Sequence, residues 1–348
     1  MPALLLVSAL CALVMVGGLL RMLRPPRAGV HAIRAVAAAV GAAVLTAGVG
    51  GWLRADTPEF LVASSAAVAP LAVLLGVAAE EAAPVQPAAG WWLVGLWSLL
   101  VYPVCAIVPP LLLAGCAASE CRVADFAGGL PLLASSAAML LVAGGRPSGP
   151  HPLGMHHVGE RPGGWRRLVG PVLLIWAAAA LWIASLEGVV DAYTPRILLA
   201  TVVSPLGGAV GWLLADLVRG ARRHPVHSAT GGVLAGLAAI LPGAAGISAP
   251  WSMLVGGLAG AVCALILGSR RLAARGRAGR VALGVLAATG IGYLAPAVAG
   301  DTLGFIFSGR MGALVPPAIV YTAVVAFGAL VALPLWLGIR AAARRSTS

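Results

Sequence analysis

The chain contains no lysine; all 23 of its basic residues are arginine, which we read as a bias toward GC-rich codons rather than as mechanism. Acidic residues are scarcer, 11 in 348, and charged residues of both signs make up only 10% of the sequence. Ordinary soluble domains carry roughly a quarter. A soluble fold of this length needs far more charge to cover its surface, so the shortage excludes a soluble enzyme, a nucleic-acid-binding protein and a disordered chain. No histidine falls in the middle of an apolar run, which excludes a proton relay through buried imidazole. GxSxG, Walker, HExxH and paired intramembrane carboxylate patterns are also missing. No residues stand ready for nucleophilic, phosphoryl-transfer or zinc-hydrolase chemistry, so neither enzymatic activity nor a cofactor is expected. The five cysteines form no CxxC pair. Cys116 and Cys121 share a short segment outside the apolar runs, where they form either a disulfide or two free, small apolar side chains.

What remains is apolar. Hydrophobic residues make up 60%, glycine contributes 46 positions, and mean hydropathy is +0.99. This composition demands an all-α polytopic membrane protein in a lipid bilayer, with glycine letting helices approach closely. A spanning helix needs about 20 apolar residues. Eleven runs qualify: 2–20, 35–53, 60–79, 90–115, 123–144, 168–187, 197–218, 229–246, 251–269, 281–299 and 312–339. The first lacks a charged leading segment and a cleavage site, so it reads as a spanning helix rather than a removable signal. The fourth carries Pro103, Pro109 and Pro110, which predict a kink; the eighth ends at Pro242–Gly243. The whole chain is one membrane domain with a short tail, 340–348, and five spans plus five permit an inverted repeat with a final helix added.

Arginine orients the bundle. With the N-terminus outside, the inner loops and tail hold Arg21, Arg24, Arg27, Arg34, Arg146, Arg161, Arg166, Arg167, Arg219, Arg222, Arg223, Arg270, Arg271, Arg275, Arg277, Arg280, Arg340, Arg344 and Arg345. Only Arg54, Arg122, Arg196 and Arg310 fall outside, a split of 19 to 4. The positive-inside rule then predicts N-terminus out and C-terminus in, in the plasma membrane. The net charge of +12 reads as loops facing an anionic leaflet, not as nucleic-acid affinity.

Few polar residues lie near the spans. Asp125, in Asp125-Phe126-Ala127-Gly128-Gly129 at the outer end of the fifth run, either attracts a cation or caps a helix, or does both. Glu80 and Glu81 read as a solvated helix end, Glu187 and Asp191 as a solvated loop. Asp216 and Arg219 have the spacing of a structural i,i+3 pair. All six histidines, His31, His151, His156, His157, His224 and His227, are placed outside the runs, with the 151–157 group in a solvated loop. Gly207 with Gly211, Gly232 with Gly236 and Gly256 with Gly260 read as helix–helix contacts.

Several stretches resemble the ammonium transporter (Amt/Mep/Rh) family. These are Leu100-Val101-Tyr102-Pro103-Val104, the DFAGG run from Asp125, the Ser228–Cys263 block SATGGVLAGLAAILPGAAGISAPWSMLVGGLAGAVC, and Pro317-Ala318-Ile319-Val320-Tyr321-Thr322-Ala323-Val324-Val325. DFAGG and the 228–263 block are the specific ones, and the eleven spans with N-out topology match the family. The resemblance implies a homotrimer with one narrow pore per subunit, in which an outer site of aromatic rings and a serine recruits ammonium, and ammonia then passes an apolar lumen bearing two histidines. Here the first histidine's position is Leu133 and the second falls near Leu283. The outer aromatic of the sixth helix falls near Ser185, the recruiting serine near Val189, and the other aromatics at Ala66 or Ala67 and near Pro109 or Leu113. Of that set, Asp125 alone keeps the family's residue. The tail from Arg340 offers little for docking the trimeric nitrogen-regulatory signal protein that typical members bind. The departures leave three readings open: a pore for neutral ammonia, a non-conducting trimer partner or membrane sensor, or a pore for a more apolar solute.

Overall fold

A computed structural model describes residues 2–25, 27–53, 58–82, 88–113, 125–143, 166–221, 224–269, 271–272, 275–300, 304–309 and 314–345. Among them every regular element is helical: α1 (Pro2–Leu23), α2 (Ala28–Trp52), α3 (Pro58–Ser65), α4 (Val68–Ala82), α5 (Ala89–Leu96), the π-turn π1 (Trp97–Val101), α6 (Tyr102–Leu113), π2 (Leu130–Ala134), α7 (Ser135–Ala143), α8 (Arg166–Ser185), α9 (Thr194–Val218), α10 (Pro225–Gly243), α11 (Ala249–Gly268), α12 (Arg277–Ala299), α13 (Phe305–Ser308) and α14 (Val315–Arg345). Ten of the resulting spans are long and apolar enough to cross a membrane, and Leu130–Ala143 is a shorter eleventh. They match the eleven sequence runs one to one. The segment 144–165 with His151, His156 and His157, and the segment holding Cys116 and Cys121, lie outside the described residues. The cysteines that are described, Cys11, Cys105 and Cys263, are buried and free.

Two spans are broken, each for a local reason. The third run splits into α3 and α4 at Ala66–Ala67, where the backbone tightens into short bonds from Ala66 N to Ala63 O and from Ala67 N to Ser64 O. Pro70 follows in the first turn of α4 and has no N–H to carry the α3 ladder onward. The fifth run becomes helical only at Gly129–Leu130. A helix over Leu130–Ala143 reaches about 21 Å at 1.5 Å per residue, short of the ~30 Å hydrocarbon core. Residues 125–128 precede it as irregular backbone, which within a bilayer is tolerated only when its polar groups are satisfied by protein.

The two sets of five spans meet through corresponding members: α1 packs on α8, and π2 with α7 packs on α12. The buried core gathers side chains from nearly every span, among them Trp97, Trp182, Tyr102 and Tyr293. The outer surface is apolar too, with Leu6, Leu10 and Leu13 on α1 and Ile33, Val40 and Val44 on α2 exposed, as a bundle solvated by lipid requires. A close junction joins α9, α10 and α11 through glycine. A β-carbon on Gly211 would lie 1.9 Å from the Gly257 carbonyl oxygen, one on Gly256 1.9 Å from that of Ser204, and one on Gly232 2.3 Å from that of Gly208. The three glycine pairs are therefore helix–helix contacts, as the spacing predicts.

The structure corrects four expectations about polar residues. His31 and Arg34 are not in a loop: α2 starts at Ala28, and each is only 1% exposed. Glu80 is not merely a solvated helix end; it accepts from Arg34 Nη2 at 2.6 Å and faces His31 Nε2 at 3.3 Å. That pairing is what makes a buried arginine tolerable. His227 lies within α10 and His224 caps that helix, accepting from Val226 N. Glu187 and Asp191 organise the start of α9: Thr194 Oγ1 donates to Glu187 at 2.6 Å, and Tyr193 N donates to Asp191 at 2.7 Å. Asp216 accepts from Trp212 Nε1 and Ser228 Oγ, while Arg219 donates to the Ala264 and Gly268 carbonyls at the end of α11. Both serve structure as expected, but through these separate partners; the i,i+3 pairing between them is not among these bonds.

Candidate functional site

Asp125 opens the broken fifth span. One carboxylate oxygen accepts from Gly129 N, the other from Leu130 N at 2.9 Å. Gly128 adopts φ +67° between them, a left-handed conformation that glycine takes without cost. Phe126 N and Ala127 N donate to the Pro242 and Leu241 carbonyls at 3.0 and 3.2 Å. The irregular backbone is thereby tied to the last turn of α10, and Asp125 does act as a helix cap. Its negative charge sits at the positive end of the helix, half-buried, with Tyr102 and Tyr293 within electrostatic reach.

Further into the bundle lies a group of buried hydroxyls. Thr46 and Ser65 are 3.0 Å apart, and the Tyr102 hydroxyl lies 3.4 Å from both Ser64 and Ser65. On α12, Thr289 and Tyr293 are four residues apart and share a face. They are 0% and 2% exposed, and their oxygens have no hydrogen-bond partner among the described residues. Tyr293 lies 6.2 Å from Tyr321, whose hydroxyl donates to the Leu286 carbonyl at 2.6 Å. The two π-turns frame this region. Tyr102 N reaches back to the Trp97 carbonyl and Ser135 N to that of Leu130, each a five-residue step that widens the helix. Pro103 and Pro131 remove the donors that regular turns there would use. Trp97 Nε1 donates to Ser135 Oγ at 2.9 Å and ties one π-turn to the other.

Of the expected site residues, Leu133 sits on π2 and Leu283 on α12, both half-buried, on elements that pack against each other. Asp125 leads into the same element as Leu133. Ser185 is elsewhere: it is buried at the α1–α8 interface, 2.7 Å from the Ser8 hydroxyl. Val189 is 56% exposed in the turn after α8. Ala66 and Ala67 form the break between α3 and α4, and Pro109 lies within α6. The Leu113 side chain lies outside the described residues.

Solved structures share this arrangement. Mep2 from Saccharomyces cerevisiae superposes at a TM-score of 0.75 with 17% identity, over 97% of this chain and 87% of that one. The chain has the Amt/Mep fold. Candida albicans Mep2 matches at 0.73 and 17% identity, over 97% and 83% of the two chains, and a protein described as a sensor Amt protein at 0.73 and 16%, over 97% and 92%. No family model and no curated protein matches the sequence. The interior of this chain carries a set of buried hydroxyls: Ser64, Ser65 and Tyr102 near the α3–α4 break, and Thr289 and Tyr293 on α12. The sequence reading missed them because each is an ordinary residue inside an apolar run. The faint signal was spacing: Thr289 and Tyr293 are one helical turn apart, as are Ser98 and Tyr102.

Proposed function

We propose that the chain is a channel of the ammonium transporter type that passes neutral ammonia, or a similarly small neutral molecule, through an apolar pore in each subunit of a homotrimer. It lies N-terminus out and C-terminus in across the plasma membrane and performs no catalysis. The observation that carries this reading is the interior itself: an Amt/Mep bundle in which Ser64, Ser65, Tyr102, Thr289 and Tyr293 bring buried hydroxyls together with Leu133 and Leu283, which stand at the positions that the resemblance assigns to histidine. A hydroxyl gives or receives a hydrogen bond from a neutral solute but cannot accept a proton near neutral pH. An apolar, low-dielectric lumen penalises a bare cation by many kcal/mol, so the permeating species is uncharged. Asp125 supplies a negative field near the outer break; Ser185 and Val189, which the resemblance assigns to an outer recruitment site, supply no aromatic ring.

A second reading has its own support. Both oxygens of Asp125 are engaged in capping the helix, and one of the proteins sharing the fold is described as a sensor. A non-conducting membrane sensor or trimer partner follows if the leucines close the lumen. Reconstitution into liposomes separates the readings. The neutral pore predicts internal alkalinisation on adding ammonium, with no current. Current together with alkalinisation overturns the neutral-solute assignment, and neither signal above empty liposomes favours the sensor.

A further inference from the structure

At the end of the bundle where α2 begins, α4 ends and α5 begins, a cavity of about 260 Å³ opens among Arg27, Val30, His31, Arg34, Glu80 and Trp91. Arg34 is its centre. Its guanidinium lies 4.9 Å from the Trp91 ring, a cation–π distance. Gly76 and Gly90 leave it room: a β-carbon on either would come within 2.4 Å of Nη1.

Glu80 satisfies only part of this cluster. One of its oxygens is taken by Arg34 Nη2 and the other faces His31 Nε2. Arg34 Nε and Nη1 and His31 Nδ1 are buried and have no partner among the described residues. Leaving the guanidinium's charged donors in that state is costly. With Arg27 at the rim, the cavity holds two guanidinium charges against one carboxylate, so it carries excess positive charge even with His31 neutral.

We propose that this cavity binds a phosphate group, either as the headgroup of an anionic phospholipid or as a soluble phosphate, held by Arg34, His31 and Arg27. Phosphate matches the requirement: several acceptor oxygens for guanidinium donors set in a fork, and a negative charge to balance the excess. Glu80 is not a competing ligand, because its oxygens face Arg34 and His31. The surface leading from the cavity favours the lipid. Val30, Ile33, Val36, Val40 and Val44 are all exposed on α2, at spacings that form one apolar stripe. An acyl chain can lie along it while the headgroup enters the cavity. The proposal does not depend on what the pore conducts.

The test uses the full chain purified in detergent, titrated separately with dioctanoyl phosphatidylglycerol and with inorganic phosphate. Thermal unfolding and native mass spectrometry report binding. Saturable stabilisation is expected, with the half-saturating concentration raised at least tenfold in R27Q and in the charge-balanced R34Q/E80Q, and unchanged in R21Q. Arg27 is exposed, so R27Q keeps the test alive if the double variant misfolds. Saturation by the lipid alone assigns a headgroup site; saturation by phosphate as well assigns a soluble ligand. Absence of saturable binding by either, or equal weakening in R21Q and R27Q, overturns the proposal.

Discussion

Asp125 shows how one side chain serves two demands. Its carboxylate closes the N-terminus of the helix that begins at the fifth span's break, and its charge lies within electrostatic reach of two tyrosines. Asp125→Ala removes both acceptors and should lower stability by about 1 kcal/mol or somewhat more, read as a drop in the unfolding midpoint in detergent. Asp125→Asn keeps one acceptor and should lose less. If the solute is neutral, Asp125→Asn leaves ammonia-driven alkalinisation of liposomes unchanged; a fall in flux at low ammonium would instead show that the charge recruits a cation. Replacing both Leu133 and Leu283 with Ala should raise ammonia permeability if these side chains narrow the lumen, and an unchanged flux would sink that idea. At this scale the sequence was partly legible. Asp125 stood out because it is an acid within an apolar run and because DFAGG is specific. The Arg34–His31–Glu80 cluster was hidden: its members are up to 49 residues apart in the chain, and hydropathy assigns charged residues at a span's edge to the loop.

At the scale of elements, the glycine junction makes the clearest prediction. Gly211→Ala must place a methyl 1.9 Å from a backbone carbonyl oxygen, and overpacking of this kind costs about 1–3 kcal/mol or more. Gly48, on α2, has nothing within 4 Å of its would-be β-carbon, so Gly48→Ala should be neutral or stabilising by up to ~1 kcal/mol through helix propensity. Size-exclusion profiles and unfolding midpoints of the two variants make the comparison, and equal behaviour would contradict the close approach. Helices were the legible part, because a long apolar run can satisfy its backbone in lipid in few other ways. The breaks were not. Hydropathy continues smoothly across Ala66–Ala67 and into residues 125–128, whereas the interruption is set by a missing N–H at Pro70, by Gly128 in a left-handed conformation, and by the Leu241 and Pro242 carbonyls of a distant helix.

For the whole molecule, the all-α membrane class followed from composition, since so little charge leaves no other way to solvate the chain; the span count came from the apolar runs, and the Amt/Mep fold was implied by the resemblance in DFAGG and the 228–263 block. Function was less legible because the interior hydroxyls come from α2, α3, α6 and α12 and converge only on folding. The orientation rests on the arginine split and has a direct check. A single cysteine introduced near Arg345, with the native cysteines replaced, should react with a membrane-impermeant maleimide only after the cells are opened. Labelling of intact cells would invert the bundle and reassign the outer break at Asp125 to the cytoplasm.

The glycine junction also bears on how this chain can change over time. Where Cα atoms meet carbonyl oxygens there is no side chain to trim, so a substitution cannot be rescued by shrinking its neighbour. A saturation scan should find Gly208, Gly211, Gly256 and Gly260 closed even to alanine and without second-site suppressors. The lipid-facing positions of the same helices, such as Leu206, Leu213 and Leu254, should exchange freely among apolar residues. Sequence drift in such a molecule is confined to its outside and its loops, while the seam between α9, α10 and α11 stays fixed.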